Sequence, residues 1–236
     1  MDNISEGWEL LEKILLDGKK ILLVVDCDVD GLTSSAILYQ YLHTAYAKYM
    51  PQIDYFIHEH KEHGLSDVMK DSNISGGDYG LIVTPDAGTN DYEFIEQLKE
   101  VETKVLILDH HLKNEDTLIS DNCVLVNNQT SPNYINKDLT GAGVVWQFVN
   151  WNDKRCDRKT DYDYSDLAAL GIISDMGSYL SLENRAIVEK GLHNIQNYFF
   201  KCACDKQAYS MGNKINYTTV AFYITPLLNS MIRMGS

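Results

Sequence analysis

The chain is poor in positive charge. Twenty lysines and arginines stand against 34 acids, a net charge of −14, which excludes a protein that grips nucleic acid through a broad basic surface. The same balance suits a site that collects divalent cations and works on phosphate through them. Long apolar runs are also missing: none approaches the roughly 20 residues that a bilayer crossing requires, so no membrane partner is expected. The acidic start, Met1 to Glu6, has no basic flank of the kind a secretory signal carries. Cysteines are few, odd in number and scattered, without Cys-x-x-Cys spacing. Cys202 and Cys204, two apart, are weak evidence for a metal, and reduced cytoplasmic thiols are the expectation. Repeats and low-complexity tracts are absent, and no serine or cysteine stands in a nucleophile motif.

What is present is alternation. Ser5 to Leu16 has apolar residues at helical spacing (Trp8, Leu11, Leu15), with Ser5 as a candidate N-cap and Asp17-Gly18 as the stop. Strands are expected at Ile21–Val25, Ile53–Ile57, Tyr79–Thr84, Lys104–Leu108 and Val124–Val126. Helices are expected from Leu32 to about Ala47, ahead of Pro51, and from Asp91 to Glu100. Gly76-Gly77-Asp78 reads as a turn. The pattern predicts an α/β fold, a parallel sheet of about five strands with helices on both faces. Residues 1–130 would form this core. Residues 131–236 would form a smaller, mostly helical region: a helix opening at Thr140-Gly141-Ala142-Gly143, a polar loop from Trp151 to Tyr164, an apolar helix from Leu167 to Ile173, and a long helix from Leu182 to about Tyr198. Lys154, Arg155, Arg158 and Lys159 in the polar stretch read as a solvated loop, with phosphate contact as the alternative.

Chemistry concentrates at the strand ends. Asp26-Cys27-Asp28-Val29-Asp30-Gly31 follows the first strand and opens a helix. Alternate residues of extended chain share a face, so the three carboxylates repel one another unless a cation joins them. Gly31 suits the tight turn, and the helix start behind it offers free N–H groups to an anion. A solvated acidic loop is the plain alternative. Asp86 ends the third strand, Asp109-His110-His111 the fourth, and Asp175 follows the apolar helix. His58, His60 and His63 lie in the loop after the second strand, where a polar loop and a metal site compete as readings. Hard oxygen donors with one or two imidazoles suit Mn²⁺ or Mg²⁺ better than structural zinc. Eight such groups suit two ions about 3.5–4 Å apart, bridged by a carboxylate. The small residues Gly141 and Gly143 fit close packing or approach of a phosphate.

Taken together, Asp28-Val29-Asp30-Gly31, Asp86, Asp109-His110-His111 and Asp175 resemble the motifs of the DHH phosphoesterase family, and more narrowly its RecJ-like branch of single-strand-specific exonucleases. Leu139 to Val144, Ala169 to Asp175, Glu183-Asn184-Arg185 and Ile224 to Asn229 with Arg233-Met234-Gly235 also look RecJ-like, so the likeness runs in order along nearly the whole chain. The resemblance implies a phosphodiesterase with two manganese or magnesium ions acting on single-stranded nucleic acid from a 5′ end. It implies Asp26 and Asp28 on one ion, Asp30 on the other, Asp86 between them, and His110 and Asp175 completing the second site. It further implies Asp109 as the orienter of a histidine and His111 as the group facing the scissile phosphate. Ser34, His63, Gly141 and Gly143 are its candidates for substrate contact. Val24 stands where several relatives carry a histidine, and no Gly-Gly-His segment of a DHH-associated second domain is present, so that domain is expected on a longer chain or a partner. Two other readings compete: a phosphodiesterase for short oligonucleotides, cyclic dinucleotides or pyrophosphate, and a non-catalytic scaffold of replication or repair.

Overall fold

A computed structural model of the chain describes residues 1–58, 63–70, 74, 77–159 and 161–234. Five strands form one parallel sheet: β1 (Ile21–Val25), β2 (Ile53–Ile57), β3 (Leu81–Pro85), β4 (Lys104–Asp109) and β5 (Cys123–Asn127), in the order β2-β1-β3-β4-β5. The register pairs Ile21 with Ile53 on one side of β1 and with Leu81 on the other. β1 therefore feeds its successor to one side, and the chain then crosses back to place β3 on the other. In open parallel sheets such a reversal opens a crevice at the carboxyl ends of the strands, and ligands bind there.

Both faces of the sheet are covered, and side chains alternate between them as strand geometry requires. Ile21, Leu23 and Val25 of β1 join Leu81, Val83, Leu106 and Leu108 in the larger core. That core is closed by α1 (Ile4–Leu16), α2 (Val29–Ala45), α4 (Gly141–Arg155) and α5 (Ser165–Ser174). Leu22 and Val24 face the other way, into a smaller cluster with Ile82, Val105, Ile107 and α3 (Tyr92–Glu100). Helices α6 (Leu182–His193), α7 (Tyr198–Gln207) and α8 (Thr225–Arg233) follow, and Ile187, Phe200 and Leu228 join the larger core, so it is continuous from Ile4 to Leu228. No helix among the described residues is long and apolar enough to cross a membrane.

Several boundaries differ from expectation for local reasons. Asn3, not Ser5, takes the N-cap position of α1; its side chain donates to the Leu125 carbonyl, and the Ser5 hydroxyl donates to Glu9. β3 begins at Leu81; ahead of it the Gly80 N–H donates to the Lys20 carbonyl at 2.9 Å, and a Cβ on Gly80 would lie 2.7 Å from Lys19. The stretch from Trp151 is not loop until Cys156: α4 runs to Arg155, whose guanidinium bonds Glu12 and Asn152. The helix expected to reach Tyr198 stops at His193. The buried Asp166 carboxylate draws in the N–H groups of Gln196 and Asn197, and Asn197 then caps α7 through the Phe200 N–H. His60, Gly76 and Gly235 lie outside the described residues.

Candidate metal centre

Three strand ends and two helix ends converge on the switch point between β1 and β3. After β1 the chain turns sharply into α2, with Asp28 as N-cap: its Oδ1 accepts the Gly31 N–H at 2.8 Å. Gly31 is required here, since a Cβ would lie 2.5 Å from the Asp26 Cβ. Asp30 projects from the first turn of α2 onto the start of α4. It accepts the Gly141 N–H at 2.7 Å, the Ala142 N–H at 3.0 Å and the Thr140 hydroxyl at 3.0 Å. One buried carboxylate thus ties the start of α2 to the first N–H groups of α4.

Asp86 follows β3 in left-handed backbone, at φ 67°. Aspartate tolerates that region better than most residues, and such strain concentrates at functional sites. Its Oδ1 is buried, accepts no hydrogen bond, and lies 3.2 Å from His110 Nε2. That nitrogen also faces Asp175 at 3.7 Å and Asp30 at 3.9 Å. Asp175 is the C-cap of α5. Ligand atoms of Asp30, His110 and Asp175 lie within 4.8 Å of one another, as do those of Asp86, Asp109, His110 and His111.

The electrostatics register crowding of negative charge. Burial raises Asp30 to about 6, against the pull of His110, and the neighbouring Asp175 and Asp28 add to the rise. Burial also raises Asp86 well above the usual carboxylate range, reinforced by Asp30, Asp28, Asp109 and Asp26. Asp175 rises for the same primary reason. Asp109 behaves in the opposite way. Burial works against its charge, but His111, Thr89 and His110 prevail and hold it at about 2. Its Oδ1 accepts His111 Nδ1–H at 2.7 Å, and its Oδ2 accepts the Thr89 hydroxyl at 2.6 Å and N–H at 3.1 Å. The His111 imidazole is pushed up to about 9, first by that bond to Asp109.

Of the substrate-contact candidates, Gly141 lies inside the cluster: a Cβ there would sit 2.3 Å from Asp86 Oδ1. Gly143 packs against Leu139 instead, and Ser34 is fully buried with its hydroxyl donating to the Asp30 carbonyl. His63 reaches Asp26, with Nδ1 2.8 Å from both carboxylate oxygens. Thr89 and Asn127 went unrecognised in sequence. Asn127 at the end of β5 donates to the Thr89 hydroxyl and to the His111 carbonyl, so it braces the Asp109–His111 pair. Its only sequence signal is position at a strand's carboxyl end.

Carboxylates with one imidazole, a buried acceptor without a donor, and carboxyls raised by burial and then by their neighbours' charge all fit divalent cations of the Mn²⁺ or Mg²⁺ type. The family described as "DHH family, N-terminal domain" matches residues 20–172. The chain therefore belongs to the DHH family. It is 35% identical to the SPbeta prophage-derived YorK protein of Bacillus subtilis, a protein named for single-strand DNA-specific exonuclease activity, over 100% of this chain and 39% of that one. It is 30% identical to the single-stranded-DNA-specific exonuclease RecJ of Thermus thermophilus, over 100% of this chain and 34% of the relative. A crystal structure of exonuclease RecJ bound to manganese superposes with TM-score 0.82 at 28% identity, covering 100% of this chain and 59% of that one. The chain thus spans about two fifths or less of the length of these curated relatives.

Proposed function

We propose that the chain is the catalytic part of a two-ion phosphodiesterase that hydrolyses single-stranded DNA from a 5′ end. The observation that carries this reading is the buried, donor-free Asp86 Oδ1 set among Asp30, His110 and Asp175 at the sheet's switch point. Asp26 and Asp28 would hold one ion. Asp30, His110 and Asp175 would hold the other, and Asp86 would serve both. When bound, such a pair supplies Lewis acidity toward a phosphoryl oxygen and lowers the pKa of a shared water. The chain's own groups do the rest. His111, protonated at neutral pH and oriented by Asp109, presents Nε2–H toward the phosphate and stabilises charge that develops there. Asp109 stays ionised and keeps that imidazole in one orientation, while Thr89 and Asn127 fix Asp109 in turn.

The acidic surface and the shares of the relatives covered support a second, DHH-associated domain or partner as the main grip on the strand. The few scattered cysteines, without Cys-x-x-Cys spacing, support a reducing, cytoplasmic setting. A small-substrate phosphodiesterase uses the same centre, so the test must separate the two. End-labelled single-stranded DNA, duplex DNA, short RNA and a cyclic dinucleotide are incubated with the chain, with Mn²⁺ and with chelator. Mn²⁺-dependent mononucleotide release from the single strand is expected. Turnover of dinucleotides alone moves the protein to the small-substrate reading. Silence on all substrates with Mn²⁺ bound assigns the grip to the second domain, and failure to bind Mn²⁺ supports the non-catalytic scaffold.

A further inference from the structure

The turn that carries His63 is held more firmly than a solvent loop requires. His58, buried at the end of β2, bonds the Gly64 carbonyl through Nε2 at 2.8 Å. On the other side, Asp91 Oδ2 accepts the Leu65 N–H at 2.8 Å. Gly64 runs at φ +68°, and a Cβ there would meet that carboxylate at 2.3 Å, so only glycine fits. Two hydrogen bonds and a glycine-only backbone therefore fix a turn whose exposed product is one imidazole directed at Asp26.

That imidazole has a chemical constraint. Its Nδ1 lies 2.8 Å from both Asp26 oxygens. A bare lone pair would be repelled there, so the nitrogen must carry a proton or a cation. The same side chain lines the cavity shared by Asp109, His110 and His111. Meanwhile the two ion sites read above are unequal. The second contains His110, whereas the first has only the carboxylates of Asp26, Asp28 and Asp86. Val24 supplies nothing, because it is sealed into the smaller core beside Ile82 and Ile107.

We propose that His63 is the imidazole ligand of the first ion, delivered from the β2 turn across the sheet's switch point. The proposal rests on the two-ion reading. With an ion bound, His63 Nδ1 would offer its lone pair to the cation beside the Asp26 carboxylate it now faces. His63 thereby balances a carboxylate-rich site with a neutral donor that Mn²⁺ accepts.

Mn²⁺ stoichiometry tests this without reference to turnover. Calorimetric titration and electron paramagnetic resonance are run on the whole chain, on His63→Ala and on His63→Gln. The unaltered chain is expected to take two ions and show the signature of a coupled pair. Both variants are expected to keep one ion, to bind the other at least about 10-fold more weakly, and to lose the coupled signature. Glutamine preserves a hydrogen bond to Asp26 but ligates poorly. Two tight ions in His63→Gln would therefore make His63 a mere hydrogen-bond partner of Asp26 and overturn the proposal, and so would two tight ions in His63→Ala. Fewer than two ions in the unaltered chain would overturn the two-ion reading itself, and this inference with it.

Discussion

Asp86 shows in one side chain how the centre is built against the interest of the empty fold. Its backbone is left-handed, its Oδ1 has no donor, and burial among other carboxylates favours its neutral form. Asp86→Asn removes that charge and its repulsion. The metal-free variant should melt higher than the unaltered chain, by about 2–4 °C for each kcal/mol relieved. It should also lose the rise in melting temperature that Mn²⁺ gives the unaltered protein. Thermal melts with chelator and with Mn²⁺ check both halves; a variant still stabilised by Mn²⁺ would remove Asp86 from the ligand set. His111 has the opposite sense. Its imidazole binds a proton more tightly folded than unfolded, rising from an ordinary value of about 6.5 to about 9. Its stabilising contribution is complete below pH about 6.5 and lost as pH rises through about 9. In chelator, the urea midpoints of the unaltered chain and His111→Gln should differ most near pH 6 and converge near pH 10. Parallel curves across that range would show that the Asp109 bond does not couple to folding.

Helix starts are the next level of organisation, since two of them are fastened by site carboxylates. Asp28 caps α2, and Asp30 holds the first N–H groups of α4. Backbone approach at α4 is therefore as important as the acids. Gly141→Ala drives a Cβ to within 2.3 Å of Asp86 Oδ1. It should cost about 1–3 kcal/mol and weaken Mn²⁺ binding, as overpacking of a tight site does. Gly143→Ala meets the buried Leu139 side chain, 2.3 Å from its Cδ1 and 2.7 Å from its Cγ, rather than a carboxylate, and should leave Mn²⁺ binding intact. Calorimetry on the two variants separates a glycine of the site from a glycine of helix packing. Equal loss of Mn²⁺ affinity in both would refute the distinction.

Far from the carboxylates, an aromatic and polar seam joins α1, α2 and α4. Trp8 stacks on Phe148 at 4.4 Å between ring centroids and donates Nε1–H to the Phe148 carbonyl at 2.8 Å. Trp8→Ala should cost about 3–5 kcal/mol by denaturant unfolding while leaving Mn²⁺ stoichiometry unchanged below the transition. Arg158, one of the cations that the sequence offered to a phosphate backbone, belongs to this seam. It donates to the Tyr41 hydroxyl at 2.6 Å and pairs with Asp153 at 3.6 Å. Arg158→Ala should therefore lower stability and leave affinity for single-stranded DNA unchanged, measured by fluorescence anisotropy at fixed salt. A large loss of affinity would return Arg158 to the nucleic-acid surface.

Much of this protein is determined by the sequence alone. Short continuous apolar runs and period-3.6 apolar patterns depend only on which side chains avoid water, and they set five strands and most helices close to their observed limits. The acids at strand ends were legible because a parallel sheet places those ends on one edge whatever the details of packing. Contacts between remote segments lay beyond that logic. The break after His193 depends on Asp166 reaching N–H groups some 30 residues away in sequence. The burial of Ser34, the bracing of Asp109 by Thr89 and Asn127, and the arrival of His63 at Asp26 depend on which turns the sheet order brings together. Local patterning carries the preference of each segment for its element. Only tertiary packing decides which polar atoms meet, because a hydrogen bond between distant residues leaves no periodic trace in either of them.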